Sequence, residues 1–249
     1  MKPYYQDKYC TIYNADAKDV LLSMADNSID LVLSDPPYGH NNNNGDLISR
    51  REAALGKGNY VPERDNIPIA NDGLEANDLV RWFFKEAKRV LVPGGCCCCG
   101  GGGGPDPQFA RWSLWLDEIM PFKMCVVWDK GGLGMGWHYR RNWECILVAQ
   151  KSGASCKWYG GNDIPNLIND CPKIIPQKTD HPTPKPPELM QKFISYHSQI
   201  NEIVLDPFMG GGTTLVAAKN LRRKAIGIEL EEKYCEMAAK RLMQEVLEF

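Results

Sequence analysis

The chain of 249 residues is poor in histidine, with four, and carries a formal net charge of only −2 and a pI of about 6.1. It also lacks any apolar run approaching the length that crosses a bilayer. Near-neutrality excludes a uniformly basic surface that coats nucleic acid, so any such affinity has to come from local patches. Arg50, Arg51, Lys57 and Arg64 make one candidate patch and Arg140 with Arg141 another; the plainer reading is solvated surface charge. Met1 to Asp7 holds no apolar signal core, so a cytoplasmic protein with no membrane partner is expected. The ten cysteines do not form a metal framework. Four are contiguous, Cys96 to Cys99, and as a strand would alternate between its two faces. The others show no C-x-x-C pair, and Cys156, Cys171 and His181 have only a weak zinc spacing. Reduced, buried thiols and no metal are expected.

Strand-like and helix-like segments alternate along most of the chain. Tyr9 to Asp16 and Ile29 to Ser34 read as strands, with helical spacing from Ala17 to Met24 between them. A long polar stretch from residue 40 to 73 follows, then a helix from about Leu74 to Leu91 stopped by Pro93-Gly94-Gly95. Cys96 to Cys99 is a short buried strand entering the glycine run 100–104, and a helix follows from about Phe109 to Met120. Lys123 to Asp129 and Trp143 to Ala149 suggest a hairpin. Residues 153–180 are irregular. A helix near Pro187 to Tyr196, a strand from Glu202 to Leu205, a helix from Thr213 to Leu221, a strand from Lys224 to Ile228 and a last helix complete the pattern. This predicts one α/β domain over 1–249, a doubly wound and mostly parallel sheet with an antiparallel edge hairpin. Ligands of such sheets bind beyond the carboxyl ends of the strands.

Two motifs fall at such strand ends. Asp35-Pro36-Pro37-Tyr38 has φ fixed at both prolines, and the first of them biases Asp35 towards an extended conformation. A rigid strand end presenting a carboxylate and backbone carbonyls, then an aromatic ring, offers acceptors without donors. That suits an amino group attached to an aromatic ring, whose delocalised lone pair is localised by hydrogen bonds from its N–H groups. The second motif, Asp206-Pro207-Phe208-Met209-Gly210-Gly211-Gly212-Thr213-Thr214, is a glycine-rich turn opening a helix, which brings backbone N–H groups up to a ligand. Glu229 closes the next strand and is placed to accept from ribose hydroxyls. No G-x-G-x-x-G is completed after Gly210 and Gly212, and no Gly-Lys-Ser/Thr follows, which argues against a nicotinamide enzyme and a P-loop nucleotidase.

With His181-Pro182-Thr183-Pro184-Lys185-Pro186 before the second motif, the chain resembles the S-adenosylmethionine-dependent DNA amino-methyltransferases of the permuted β-type, in which the Asp-Pro-Pro-Tyr motif precedes F-x-G-x-G. The resemblance implies a Rossmann-like class I methyltransferase fold. It implies catalysis by Asp35, Pro36, Pro37 and Tyr38, and a cofactor held by Asp16, Asp35, His181, Thr183, Lys185, Asp206, Phe208, Gly210, Gly212, Thr213 and Glu229. Gly211 departs from the family's frequent serine. By resemblance the substrate is double-stranded DNA, flipped and stacked on Tyr38. Target contacts would be shared between a mobile loop, 40–73, and a short recognition insertion, 153–180. Asp at position 35 points to adenine N6, with cytosine N4 as runner-up. RNA methylation competes with DNA methylation, and a catalytically idle cofactor-binding subunit competes with an enzyme. The setting implied is a bacterial or phage-infected cytoplasm. A homodimer is one option, and neither target sequence nor restriction partner is legible.

Overall fold

The computed structural model describes residues 1–38, 75–101, 108–132, 141–172 and 185–244. Among them nine strands form one sheet: β1 (Tyr5–Gln6), β2 (Cys10–Asn14), β3 (Ile29–Ser34), β4 (Leu91–Gly100), β5 (Phe122–Asp129), β6 (Trp143–Gln150), β7 (Leu167–Ile168), β8 (Ile203–Asp206) and β9 (Lys224–Glu229). Their spatial order is β1-β2-β9-β8-β3-β4-β6-β5-β7. From β2 to β4 every neighbour is parallel; β1 and β6 run against the rest. The hairpin of β5 and β6 is as expected, and the two-residue strands β1 and β7 cap the sheet's ends, too short for a periodicity to reveal.

Six described helices cover the two faces. Helices α1 (Ala17–Ser23), α2 (Ala76–Val90) and α3 (Gln108–Ile119) share one core with Val32, Cys97, Cys99 and Leu147. Helices α4 (Pro187–His197), α5 (Thr213–Asn220) and α6 (Glu232–Met243) share the other with Leu31, Cys96, Cys98 and Val148. The cysteine run therefore alternates faces as a strand must, and all four thiols are fully or almost fully buried. Helix α2 shows why the sequence folds this way. Its buried residues Ala76, Leu79, Val80, Phe83, Phe84, Ala87 and Val90 recur at the three- and four-residue spacing of one helix face.

Two local features depart from expectation. Strand β4 begins at Leu91, before Pro93-Gly94-Gly95, and the pairing with β3 jumps from Ile29↔Leu91 to Leu31↔Cys96. The intervening residues form a bulge in which Gly94 has φ +84°. A Cβ there would lie 2.2 Å from the Ser155 carbonyl oxygen, so only glycine fits. The segment after β6 begins at the amino end of the parallel strands, where Lys157 Nζ pairs with Asp30 at 2.6 Å and also with Glu202. It climbs to the carboxyl end only at β7, beside Val127 and Trp128. Its first half is a brace at the pole opposite Asp35.

That brace rests on His197, whose ring stacks on Phe193 and meets Trp158 edge-on at 5.2 Å. Burial pushes the His197 pKa from 6.5 down to about 4. The unfolded chain therefore takes up a proton near pH 6.5 that the folded chain refuses until about pH 4, so stability is lost as pH falls through that window. The loss is about 3 kcal/mol. Urea titrations of the wild type and His197→Phe at pH 7 and pH 4.5 isolate it: the variant should be spared this loss at the lower pH, while the raised pKa of Asp206 acts in the opposite direction in both proteins.

Candidate active site

The parallel order places β3 beside β8, so residues 172 positions apart end side by side. Ser34, the last residue of β3, donates its hydroxyl to Asp206 Oδ1 at 2.7 Å, and the same oxygen accepts from the Phe208 backbone N–H at 3.2 Å. Burial raises the Asp206 pKa to about 6 against these stabilising bonds. Asp206 thus ties the two motif loops together from beneath. The family resemblance assigns it to the cofactor; its bonding here is to the protein.

The acidic loop leaves β3 at once. Pro36 is buried, and the half-buried ring of Tyr38 packs on Trp112 with centroids 5.8 Å apart. Trp112 is itself fixed by its indole N–H, which donates to Asn77 Oδ1 at 3.1 Å. The Tyr38 hydroxyl donates to Asp35 Oδ1, and the Lys185 ammonium donates to Asp35 Oδ2. Lys185 also lies 3.2 Å from Glu144 Oε2, while Lys130 bonds Glu144 Oε1 at 3.0 Å. Burial alone would raise the Glu144 pKa, but Lys185 and Lys130 outweigh it and bring it down to about 2. Burial opposes charge on Lys185, and Asp35 and then Glu144 reverse this and raise its pKa. For Tyr38, burial first and then the Asp35 charge keep the phenol protonated.

The glycine-rich turn follows β8. Gly210 and Gly212 have φ of +48° and +77°, the left-handed region that glycine enters at least cost. A Cβ on Gly212 would also lie 2.6 Å from Ala238 Cβ, so the turn sits directly on α6. The Gly210 N–H donates to Glu229 Oε2 at 3.1 Å and the Glu231 N–H to Glu229 Oε1 at 2.8 Å. Arg241 of α6 donates to the Gly211 carbonyl and, at 3.3 Å, to Thr213 Oγ1. The Phe208 ring meets Phe83 edge-on at 5.4 Å. Asp16 caps α1, accepting from the Lys18 N–H at 2.8 Å, at the carboxyl end of the strand next to Glu229.

Of the expected residues, Asp35, Pro36, Pro37, Tyr38, Lys185, Asp206, Phe208, Gly210, Gly212 and Thr213 thus gather around adjoining strand ends, with Glu229 one strand and Asp16 two strands further on. Arg141 is half-buried just before β6; His181, Thr183, Arg50, Arg51, Lys57, Arg140 and the loop 40–73 lie outside the described residues. Sequence reasoning missed Glu144, Lys130, Arg241, Ser34 and Trp112. Arg241 had a signal: with Tyr234 and Ala238 it lies on the inward stripe of α6. Gly100 also gains an explanation. A Cβ there would lie 2.2 Å from Asp35 Oδ1 and 2.8 Å from the Tyr38 oxygen, so the carboxylate occupies the space of the missing side chain. No group of three or more His, Cys, Asp or Glu able to hold a metal occurs among the described residues.

A doubly wound sheet with a rigid acidic loop and a glycine-rich loop at neighbouring strand ends defines a class I, Rossmann-like methyltransferase. Residues 29–240 match the family model described as DNA methylase, and the chain belongs to that N6/N4 family. Among relatives, Type II methyltransferase M2.LlaDCHI of Lactococcus lactis subsp. cremoris is 28% identical, over 97% of this chain and 92% of its own length. DNA adenine methyltransferase YhdJ of Escherichia coli K12 is 26% identical, over 93% and 82% respectively. The solved M1.HpyAVI–SAM complex superposes with a TM-score of 0.68 at 27% identity, covering 94% of this chain and all of that one.

Gly100→Ala should push the Asp35 carboxylate out of place and cut methyl transfer about a hundredfold, the cost of an ångström-scale misplacement. Initial-rate assays on the folded variant, checked by circular dichroism, measure this.

Proposed function

We propose that the chain transfers a methyl group from S-adenosylmethionine to the N6 amino group of adenine in double-stranded DNA. The observation that carries this is the Ser34–Asp206 bond, which sets an amine-accepting carboxylate beside a glycine-rich, donor-type loop. Support for adenine comes from the carboxylate at position 35 and from similarity to a relative named as an adenine methyltransferase. The cofactor fits the residues present. The left-handed turns at Gly210 and Gly212 let backbone close on a ligand, and Asp16 and Glu229 offer carboxylate oxygens to its amino and hydroxyl groups. When bound, it supplies an electrophilic methyl group on a sulfonium.

The chain's own residues then position and accept. Asp35 and the Pro36 carbonyl take hydrogen bonds from the two N–H groups of the target amine, localising its lone pair. Tyr38 stacks on the flipped base after its hydroxyl leaves Asp35 and its ring turns away from Trp112. Positive charge passes to the amine nitrogen, and the surplus proton goes to Asp35 or to water. Fixed acceptors therefore matter more than strong acid or base chemistry. His181 and Thr183 complete the cofactor side, and Lys185, which the resemblance groups with them, lies between Asp35 and Glu144 at its border. Arg50, Arg51, Lys57, Arg140 and Arg141 contact DNA phosphates, and the half of the 153–180 insertion near β7 reaches the target side. A cytoplasmic setting accords with the described helices, none of which is long and apolar enough to cross a membrane.

Labelled methyl transfer to unmethylated duplex DNA, with digestion and mass analysis, should yield N6-methyldeoxyadenosine; N4-methyldeoxycytidine would overturn the base assignment. Asp35→Ala should lower the rate about a hundred- to a thousandfold, by analogy with loss of a transition-state hydrogen bond, and leave cofactor affinity near wild type. Arg241→Ala should do the reverse. Releasing the Gly211 carbonyl should weaken cofactor binding about tenfold in titration calorimetry, the worth of one charge-assisted bond, with the rate at saturating cofactor largely retained.

A further inference from the structure

We propose that Glu144 is a positioning residue for the transfer: it draws the Lys185 ammonium off Asp35, so that this carboxylate can accept the N–H of the target amine. The inference rests on the functional reading above. In the structure both Asp35 oxygens are engaged, Oδ1 by the Tyr38 hydroxyl and Oδ2 by Lys185. An ammonium pressed on Asp35 weakens it as an acceptor. It also puts a positive charge beside a reaction that moves positive charge onto the amine, which such a charge opposes. Lys185 therefore needs a second place to go.

Glu144 is built as that place. Its Oε2 lies 3.2 Å from Lys185 Nζ and makes no directed hydrogen bond, although it is buried. Its Oε1 is held by Lys130 at 3.0 Å, which fixes the carboxylate and leaves Oε2 facing Lys185. The hairpin supplies the geometry. Trp128 faces Glu144 across the β5–β6 ladder, and Lys130, two residues further on, projects to the same side. The side chains of Lys130, Glu144 and Lys185 are 12%, 18% and 15% exposed, so water screens the interaction little. Lys185 can swing between two carboxylates by rotating side-chain bonds alone. Lys130 and Lys185 together balance Asp35 and Glu144, so the swing leaves the net charge of the cluster unchanged.

Glu144→Gln keeps the shape and removes the charge. It should lower kcat about ten- to a hundredfold, the worth of one hydrogen bond to a charged group, while cofactor Kd by calorimetry stays near wild type; the thermal midpoint should fall, because Lys130 and Lys185 lose a carboxylate they hold ionised, so rates are read below it on the folded variant. Adding Lys185→Met to Glu144→Gln should restore part of the kcat measured at saturating cofactor, because the competing ammonium is gone. A kcat within about threefold of wild type, a parallel loss of cofactor affinity, or a double variant no faster than the single one would each overturn the proposal. A structure of the wild-type chain with duplex DNA and a sulfonium-free cofactor analogue gives a readout independent of turnover. Lys185 is expected on Glu144; finding it still on Asp35, or on the analogue's carboxylate, would refute the role. The methylated nucleoside made by the wild type tests the functional reading separately.

Discussion

The hydrogen bond from Ser34 to Asp206 is the constraint on which the site depends. It joins the last residues of two parallel strands, and each strand delivers one motif loop. Asp206 is buried, and its negative charge is tolerated because the Ser34 hydroxyl and the Phe208 N–H solvate it from within the protein. Any slip in the pairing of β3 with β8 would separate the carboxylate of Asp35 from the glycine-rich turn and take from the buried Asp206 its bond from Ser34, leaving it only the partners of its own loop. Register is defended here by the loss of a hydrogen bond to a buried charge as well as by apolar packing.

Around this bond the charged groups form two distinct neighbourhoods. On the β4–β6 side Asp35, Lys185, Glu144 and Lys130 make a chain of alternating sign. On the β9 side Glu229 is held by backbone N–H groups and keeps a pKa raised by burial, partly offset by those bonds. The first neighbourhood is suited to switching, since an ammonium is shared between two carboxylates. The second is suited to rigidity, because its partners are main-chain groups that cannot turn away.

The fold was legible because its signals are local. The apolar stripe of α2, the alternating faces of Cys96 to Cys99, and the proline and glycine punctuation at strand ends each follow from spacing alone. Asp35 and Gly212 were legible for the same reason, as strand-end and turn residues with a conformational demand. Glu144 and Lys130 were not, because what matters about them is a pairing across the hairpin and an approach to Lys185 from another part of the chain. Gly100 looked like low complexity, and only the position of the Asp35 carboxylate shows what its missing Cβ makes room for. The bulge at Gly94 escaped because its cause, the Ser155 carbonyl, lies some sixty residues further along the chain.

The grip of Arg241 on Gly211 and Thr213 has a temporal side. The acidic motif leaves the ribosome early, its partner loop emerges more than 170 residues later, and the helix that steadies that loop later still. A nascent chain that has exposed Asp35 and Tyr38 therefore has neither the glycine-rich turn nor its brace. The glycine-rich turn gains its brace only when α6 docks, so the two motif loops acquire their full support at the end of folding rather than as the first of them emerges.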